Sequence, residues 1–374
     1  MRLRNATIAF ILQKLILGPI SFIITLKRDY LLPPSLTSSD PATVAAAAIL
    51  PTLVKTYPIR KKLPVRIFYP RSYDHAQKNG PRLPVLMTLH GGGFAMGSPP
   101  DNDAWNASFA SRHGFLVVGL NYAKAPGSPF PGPVYDVEAL IGCVLADTSL
   151  PIDASRVALA GWSAGGNLIL SAAQLKSVRD RVRAVVPLYP VVDFGTLVST
   201  KLGARRWKPT LGGFRGKDSD YLTWMTPIFQ WAYLNEGQRP DDPLLSPIHA
   251  TREMLPRNVF MIGCELDQLC QEGWRMICGL AGRRVPGKGE SPGREEVGRK
   301  GELVLEGDER FAFEERTAEG GRYRWLLVPD AIHGFDQNIR PLVRGEVEVL
   351  EDGGEKTERV IGEVGEWLKE GVFK

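Results

Sequence analysis

The pentapeptide Gly161-Trp162-Ser163-Ala164-Gly165 constrains this chain more than any other feature. It follows the apolar run Val157–Ala160 directly and leads into the apolar, helix-like stretch Asn167–Leu175. A strand that turns sharply into a helix presses backbone against backbone on both sides of the turn. Glycine at the flanking positions, Gly161 and Gly165, relieves that crowding and leaves the serine hydroxyl exposed at the crest. The same pattern also arises by chance in ordinary turns, so its surroundings must decide.

Those surroundings alternate short aliphatic runs with longer amphipathic ones from about Pro64 onward. The runs predict strands at Val65–Tyr69, Val85–His90, Phe115–Asn121, Val157–Gly161, Ala184–Tyr189, Asn258–Gly263 and Tyr323–Val328. Strands separated by helical spacings imply right-handed crossovers and a mostly parallel sheet. Their nearly unalternating apolar character implies that helices cover both faces. The expected class is therefore α/β, and 374 residues suffice for one large domain or two. Val360, Ile361, Val364 and Trp367 at helical spacing predict a closing amphipathic helix over Glu355–Lys369.

Three stretches stand outside this alternation. Residues 195–247 carry Trp207, Tyr221, Trp224, Phe229, Trp231 and Tyr233 without a strand run, which predicts a helical lid whose aromatics pack among themselves. Residues 281–321 are rich in Gly, Arg, Lys and Glu, with a few apolar residues at Leu303–Leu305 and Phe311–Phe313, and predict a flexible surface excursion with at most a short hairpin. Residues 1–55 form a separate N-terminal segment. Within it Ala6–Leu26 is apolar, flanked by Arg2, Arg4, Lys27 and Arg28 and interrupted by Lys14. An interior lysine costs roughly 2.5–3.5 kcal/mol on insertion scales. Membrane association, as a spanning helix or as a surface anchor that avoids most of that cost, and a lid helix therefore stand as equal readings for 6–26, and the location stays open between cytoplasm and a membrane such as the endoplasmic reticulum. Asn5-Ala6-Thr7 and Asn106-Ala107-Ser108 fit the glycosylation pattern, which matters only in a lumen.

A net charge of +5 without basic clusters argues against nucleic acid. Cysteines at 143, 264, 270 and 278 form no paired motif, so neither a zinc module nor a disulfide framework is expected. Five histidines without i,i+4 pairing give no metal site, and Gly212–Asp218 is one residue short of a phosphate loop, so no cofactor is expected. Oligomeric state is not readable.

His90-Gly91-Gly92-Gly93 follows an early strand about seventy residues before Ser163, a placement that suits main-chain N–H groups aimed at a developing oxyanion. His90 reads as a loop-fixing hydrogen bonder and Gly91 as loop support. A serine nucleophile needs a base oriented by an acid. His75, His113 and His249 lie in polar or turn-rich surroundings, whereas His333 directly follows the last strand. Asp267 closes the strand Asn258–Gly263 and is preferred to Glu265 as the acid.

Together His90–Gly93, Gly161–Asn167, Gly263–Glu272 and Ile332–Phe335 resemble the hormone-sensitive-lipase-like esterase branch of the α/β-hydrolase superfamily, which includes fungal esterases and arylacetamide deacetylase. Asn121–Pro126 and Pro129–Pro131 resemble that branch too, and the similarity spans roughly residues 60 to 340. The resemblance implies a carboxylic ester hydrolase with Ser163 as nucleophile, His333 as base, Asp267 as orienting acid, and the N–H groups of Gly92, Gly93 and Ala164 as oxyanion hole. It also implies a small-molecule acyl ester as substrate and a cap formed by residues 1–55 and 195–247. Deacetylase, lactonase, acyltransferase and non-catalytic receptor readings of the same fold remain alternatives. Two departures stand out: Trp162 occupies a position that is acidic in many relatives, raising the expectation of an aromatic against the acyl pocket, and residues 281–321 lengthen the acid-to-histidine interval.

Overall fold

The computed structural model describes residues 49–74, 80–337, 339 and 342–374. The expected anchor or lid helix at 6–26, the Asn5 sequon and His75 lie outside them. Among the described residues no helix is long and apolar enough to cross a membrane.

Among the described residues nine strands form one sheet: β1 (Leu53–Lys55), β2 (Val65–Phe68), β3 (Leu83–Leu89), β4 (Leu116–Leu120), β5 (Ile152–Trp162), β6 (Ala184–Leu188), β7 (Asn258–Cys264), β8 (Ala312–Arg316) and β9 (Arg322–Val328). Their order is β1-β2-β4-β3-β5-β6-β7-β9-β8. The strands β4, β3, β5, β6, β7 and β9 pair in parallel, while β1, β2 and β8 join antiparallel at the edges. The described residues also form the α-helices α1 (Asp103–His113), α2 (Gly132–Ala146), α3 (Ala164–Gln174), α4 (Lys176–Arg179), α5 (Val198–Gly203), α6 (Leu222–Tyr233), α7 (Cys270–Ala281) and α8 (Val347–Glu366).

The strands are apolar on both sides because both sides are covered. Along β5, Val157 and Leu159 join Leu140, Leu168 and Ile277 of α2, α3 and α7. The alternate residues Ala158, Ala160 and Trp162 join Phe109, Val360 and Val364 of α1 and α8. The period-two geometry of a strand thus sends neighbouring residues into two separate cores. In-register pairs such as Leu89 with Gly161, Trp162 with Leu188, and Cys264 with Val328 align the carboxyl ends of the parallel strands. Loops leaving those ends meet along one crest, the usual location for a site in such a sheet.

Two expectations change. Residues 281–321 bury more than their composition suggested: Phe311 is fully buried, which is worth roughly 1.5–3 kcal/mol. Their backbone also satisfies buried carboxylates. Arg294 N–H donates to Glu265 (2.8 Å), Gly298 N–H to Asp330 (2.7 Å) and Gly301 N–H to Asp352 (2.7 Å). Hydrogen bonds to buried charge, together with the Phe311 side chain, seat this polar segment against the core. Its last part forms β8, hairpinned onto β9. The lid aromatics of 195–247 do not simply pack together either. Trp207 and Trp224 stand at least half exposed, whereas Tyr233 stacks on Phe94 of the glycine loop with centroids 3.8 Å apart.

Candidate active site

The turn after β5 is built as its sequence requires. Ser163 adopts φ +54° and ψ −118°, a conformation L-residues avoid unless the surroundings impose it. A Cβ on Gly161 would lie 2.5 Å from the Gly165 carbonyl oxygen, and one on Gly165 would lie 2.2 Å from that of Leu89. Neither distance is physically possible, so the two glycines allow β5, α3 and β3 to approach. The serine is held at the first turn of α3 with its N–H donating to Leu188 (2.9 Å).

His333 and Asp267 reach this serine from the loops after β9 and β7. His333 Nε2 lies 2.9 Å from Ser163 Oγ, and Nδ1 lies 2.7 Å from Asp267 Oδ2. Asp267 is fully buried, and its other oxygen accepts the Leu269 N–H (2.9 Å). Burial pulls the His333 imidazole down, but the Asp267 carboxylate, with Asp220 and Asp336 beyond it, outweighs burial and raises it above the ordinary 6.5. A ring of that kind accepts a proton from Ser163 more readily than an isolated imidazole. Glu265, the alternative acid, is engaged elsewhere: it accepts from Lys208 Nζ and from the Asp330 N–H, each at 2.8 Å.

The loop after β3 brings Gly92 and Gly93 to the same crest. Their φ values, +111° and +59°, lie in the left-handed region that suits glycine. Among the described residues the N–H groups of Gly92, Gly93 and Ala164 meet no acceptor. Gly91 lies against the elbow, where an added Cβ would come within 3.2 Å of the Ser163 Cβ. From the lid, Phe229 on α6 sits so close to Gly93 that a Cβ there would fall 2.3 Å from its ring.

Trp162 does not fulfil the expectation of an aromatic against the pocket. It is 1% exposed and meets Trp105 edge-on at 5.1 Å, on the α1 and α8 side of the sheet. Strand alternation sends it there, one residue before the hydroxyl that points to the crest. Its indole N–H donates to Asp336 Oδ2 at 2.6 Å, and the Tyr189 hydroxyl donates to the other oxygen. Burial raises the Asp336 carboxyl despite these donors.

Asp336 and Asp220 belong to no motif in the sequence, and Tyr221 stands there only as one of the lid aromatics. Tyr221 donates its hydroxyl to the His333 carbonyl (3.1 Å), and Asp220 accepts the Gln268 N–H (2.9 Å) beside Asp267. Only the neighbourhood of Asp336 to His333 offered a sequence signal. Among the described residues no group of three His, Cys, Asp or Glu side chains could hold a metal ion. Of the cysteines, Cys264, Cys270 and Cys278 are buried thiols and Cys143 is half-buried.

This combination of sheet and crest defines a class. The chain belongs to the alpha/beta hydrolase fold family, whose sequence model matches residues 86–289, more than half its length. It is 36% identical over 218 residues to an ethyl acetate hydrolase of Pseudomonas putida, covering 56% of this chain and 63% of that protein. An acetyl-hydrolase of Streptomyces hygroscopicus is 31% identical over 187 residues, covering 48% of this chain and 56% of its own. The chain thus spans 56–63% of the length of these relatives, less than two thirds. A solved structure of the Pyrobaculum calidifontis esterase superposes with a TM-score of 0.63 at 21% identity, covering 97% of both chains, a likeness of fold.

Proposed function

We propose that this protein hydrolyses carboxylic esters of small to medium, apolar acyl groups through a covalent acyl-enzyme on Ser163. The observation that carries the reading is the hydrogen-bonded line from Ser163 Oγ through His333 to Asp267, at 2.9 and 2.7 Å, beneath a strained serine backbone. In the first half-reaction His333 Nε2 takes the Ser163 proton as Oγ bonds to the ester carbonyl carbon. The carbonyl oxygen becomes an oxyanion facing the N–H groups of Gly92, Gly93 and Ala164. Collapse of this intermediate breaks the bond to the alkoxy oxygen, which leaves as the alcohol with the proton from His333. In the second half-reaction His333 takes a proton from water as the water oxygen bonds to the acyl carbon; the bond from that carbon to Ser163 Oγ then breaks, Oγ regains the proton from His333, and the carboxylic acid leaves. Asp267 keeps the proton-bearing Nδ1 fixed and stabilises the transient imidazolium.

The apolar acyl preference is supported by Phe229 over Gly93 and by the named substrate of the Pseudomonas relative. Hydrolysis of p-nitrophenyl acetate, butyrate and octanoate beside an anilide and a lactone tests the reading. Ester turnover abolished by Ser163→Ala in a folded protein supports it, and retained turnover refutes it. Faster anilide or lactone cleavage would reassign the substrate class. Membrane contact through residues 6–26 belongs to the same proposal. Retention in the membrane pellet through a carbonate wash supports it, and release to the supernatant favours the lid-helix reading.

A further inference from the structure

Behind the glycine loop lies a second hydrogen-bonded line that the catalytic steps do not use. The Gly91 carbonyl accepts from His90 Nδ1 at 2.8 Å and from the Tyr122 hydroxyl at 3.1 Å. That carbonyl shares one rigid peptide plane with the Gly92 N–H, and in a trans peptide the two point in opposite directions. Fixing the oxygen therefore fixes where the Gly92 N–H is aimed. A carbonyl only accepts, so His90 must carry its proton on Nδ1, and in a neutral ring Nε2 is then an acceptor.

Lys124 supplies the donor that Nε2 needs, and the more distant Asn121 Oδ1, 3.4 Å from Nε2, already accepts the Tyr122 N–H at 2.8 Å. Its Nζ lies 3.2 Å from His90 Nε2, with its other protons directed to Asn121 Oδ1 at 3.1 Å and the Tyr122 carbonyl at 2.5 Å. Three donors meet three acceptors. The ring of Tyr122 stacks on His90 with centroids 4.6 Å apart, and Nζ stands 3.7 Å from the Tyr122 centroid. Among the described residues no carboxylate forms an ion pair with Nζ. Burial draws the ammonium down to about 7, against the pull of Asp101 and Asp136. Gly97 leaves room for the arrangement, since a Cβ there would fall 2.9 Å from His90 Nδ1.

We infer that Lys124 is a positioning residue of the oxyanion loop: by donating to His90 Nε2 it holds the Nδ1–H tautomer, which pins the Gly91 carbonyl and aims the Gly92 N–H at the reacting carbonyl. The inference rests on the ester-hydrolase reading for its catalytic consequence, but the tautomer is independent of it.

The test combines ¹⁵N NMR of His90 with steady-state kinetics. In the unmodified protein His90 shows a protonated Nδ1 and an unprotonated Nε2. An Nε2–H tautomer there overturns the proposal without any variant. Lys124→Met keeps the side-chain length and removes the donor; kcat on p-nitrophenyl acetate falls about 10–100-fold with KM nearly unchanged, and His90 loses its single tautomer. Lys124→Gln, which keeps a donor, recovers part of kcat. Unchanged kcat or an unchanged tautomer in Lys124→Met overturns the proposal. Activity that survives Ser163→Ala sinks the ester-hydrolase reading instead, and leaves the tautomer result standing.

Discussion

Trp162 Nε1 donates to Asp336 Oδ2 at 2.6 Å, tying the residue before Ser163 to the residue three after His333. The two sides of the proposed proton transfer are thus linked beneath the crest as well as across it. Tyr189 completes the arrangement, donating to the same carboxylate and meeting the His333 ring edge-on at 4.7 Å. Asp336→Asn, which keeps the shape but removes a charge that raises His333, should lower the acid-limb midpoint of kcat/KM against pH. Trp162→Phe should leave that midpoint in place and cost about 1–3 kcal/mol in denaturant unfolding, because a buried acceptor loses its donor.

Ester turnover should rise with pH as His333 gives up its proton, with a midpoint above 6.5 because the imidazole is raised. The sign for stability is opposite. A group whose folded value is raised contributes fully below its unfolded value and loses that contribution as pH climbs through the folded one. Asp267→Asn removes the main raising charge. Its profile should shift to lower pH while kcat drops by about 10⁴-fold, as when the orienting carboxylate of a serine protease is replaced.

Gly92→Ala should be damaging twice over. A side chain at φ +111° is strained, and the new Cβ would fall 2.3 Å from the Met96 carbonyl oxygen. Loss of one oxyanion donor alone costs about 10²–10³-fold in kcat, so a larger loss with a lower melting temperature is expected.

Much of this architecture is legible in the chain itself, and the exceptions have physical causes. The seven aliphatic runs predicted as strands are all strands, because a strand covered on both faces is continuously apolar. Leu53–Lys55 went unread, being three residues long and exposed at the sheet edge. Ala312–Arg316 reads as polar because an edge strand need bury little. Ser163, Asp267 and His333 were expected together from their positions after strands, and they lie within hydrogen-bonding distance. The supports were hidden by sequence separation: 174 residues divide Trp162 from Asp336, and no local pattern encodes a contact at that range. Composition misread residues 281–321 for a related reason, since the partners of their amides are carboxylates elsewhere in the chain.

Lys208 illustrates that long-range wiring. It is almost wholly buried in the lid segment and reaches Glu265 (2.8 Å), Asp330 (2.6 Å) and the Glu296 carbonyl (2.8 Å). Lys208→Met would leave buried carboxylates uncompensated. Denaturant unfolding should show a loss of about 3–5 kcal/mol, the usual cost of removing one partner from a buried ion pair. A loss below 1 kcal/mol would mean that the cluster is solvated.

If Ser163 Oγ is the atom that becomes acylated, covalent labelling detects it most directly. Treatment with a fluorophosphonate should add a single phosphonyl group to the intact protein, and peptide mass spectrometry should place it on Ser163. Ser163→Ala should stay unlabelled, and His333→Ala should label far more slowly because the hydroxyl keeps its proton. Equal labelling of Ser163→Ala, or a phosphonyl group on any other residue, would contradict the account.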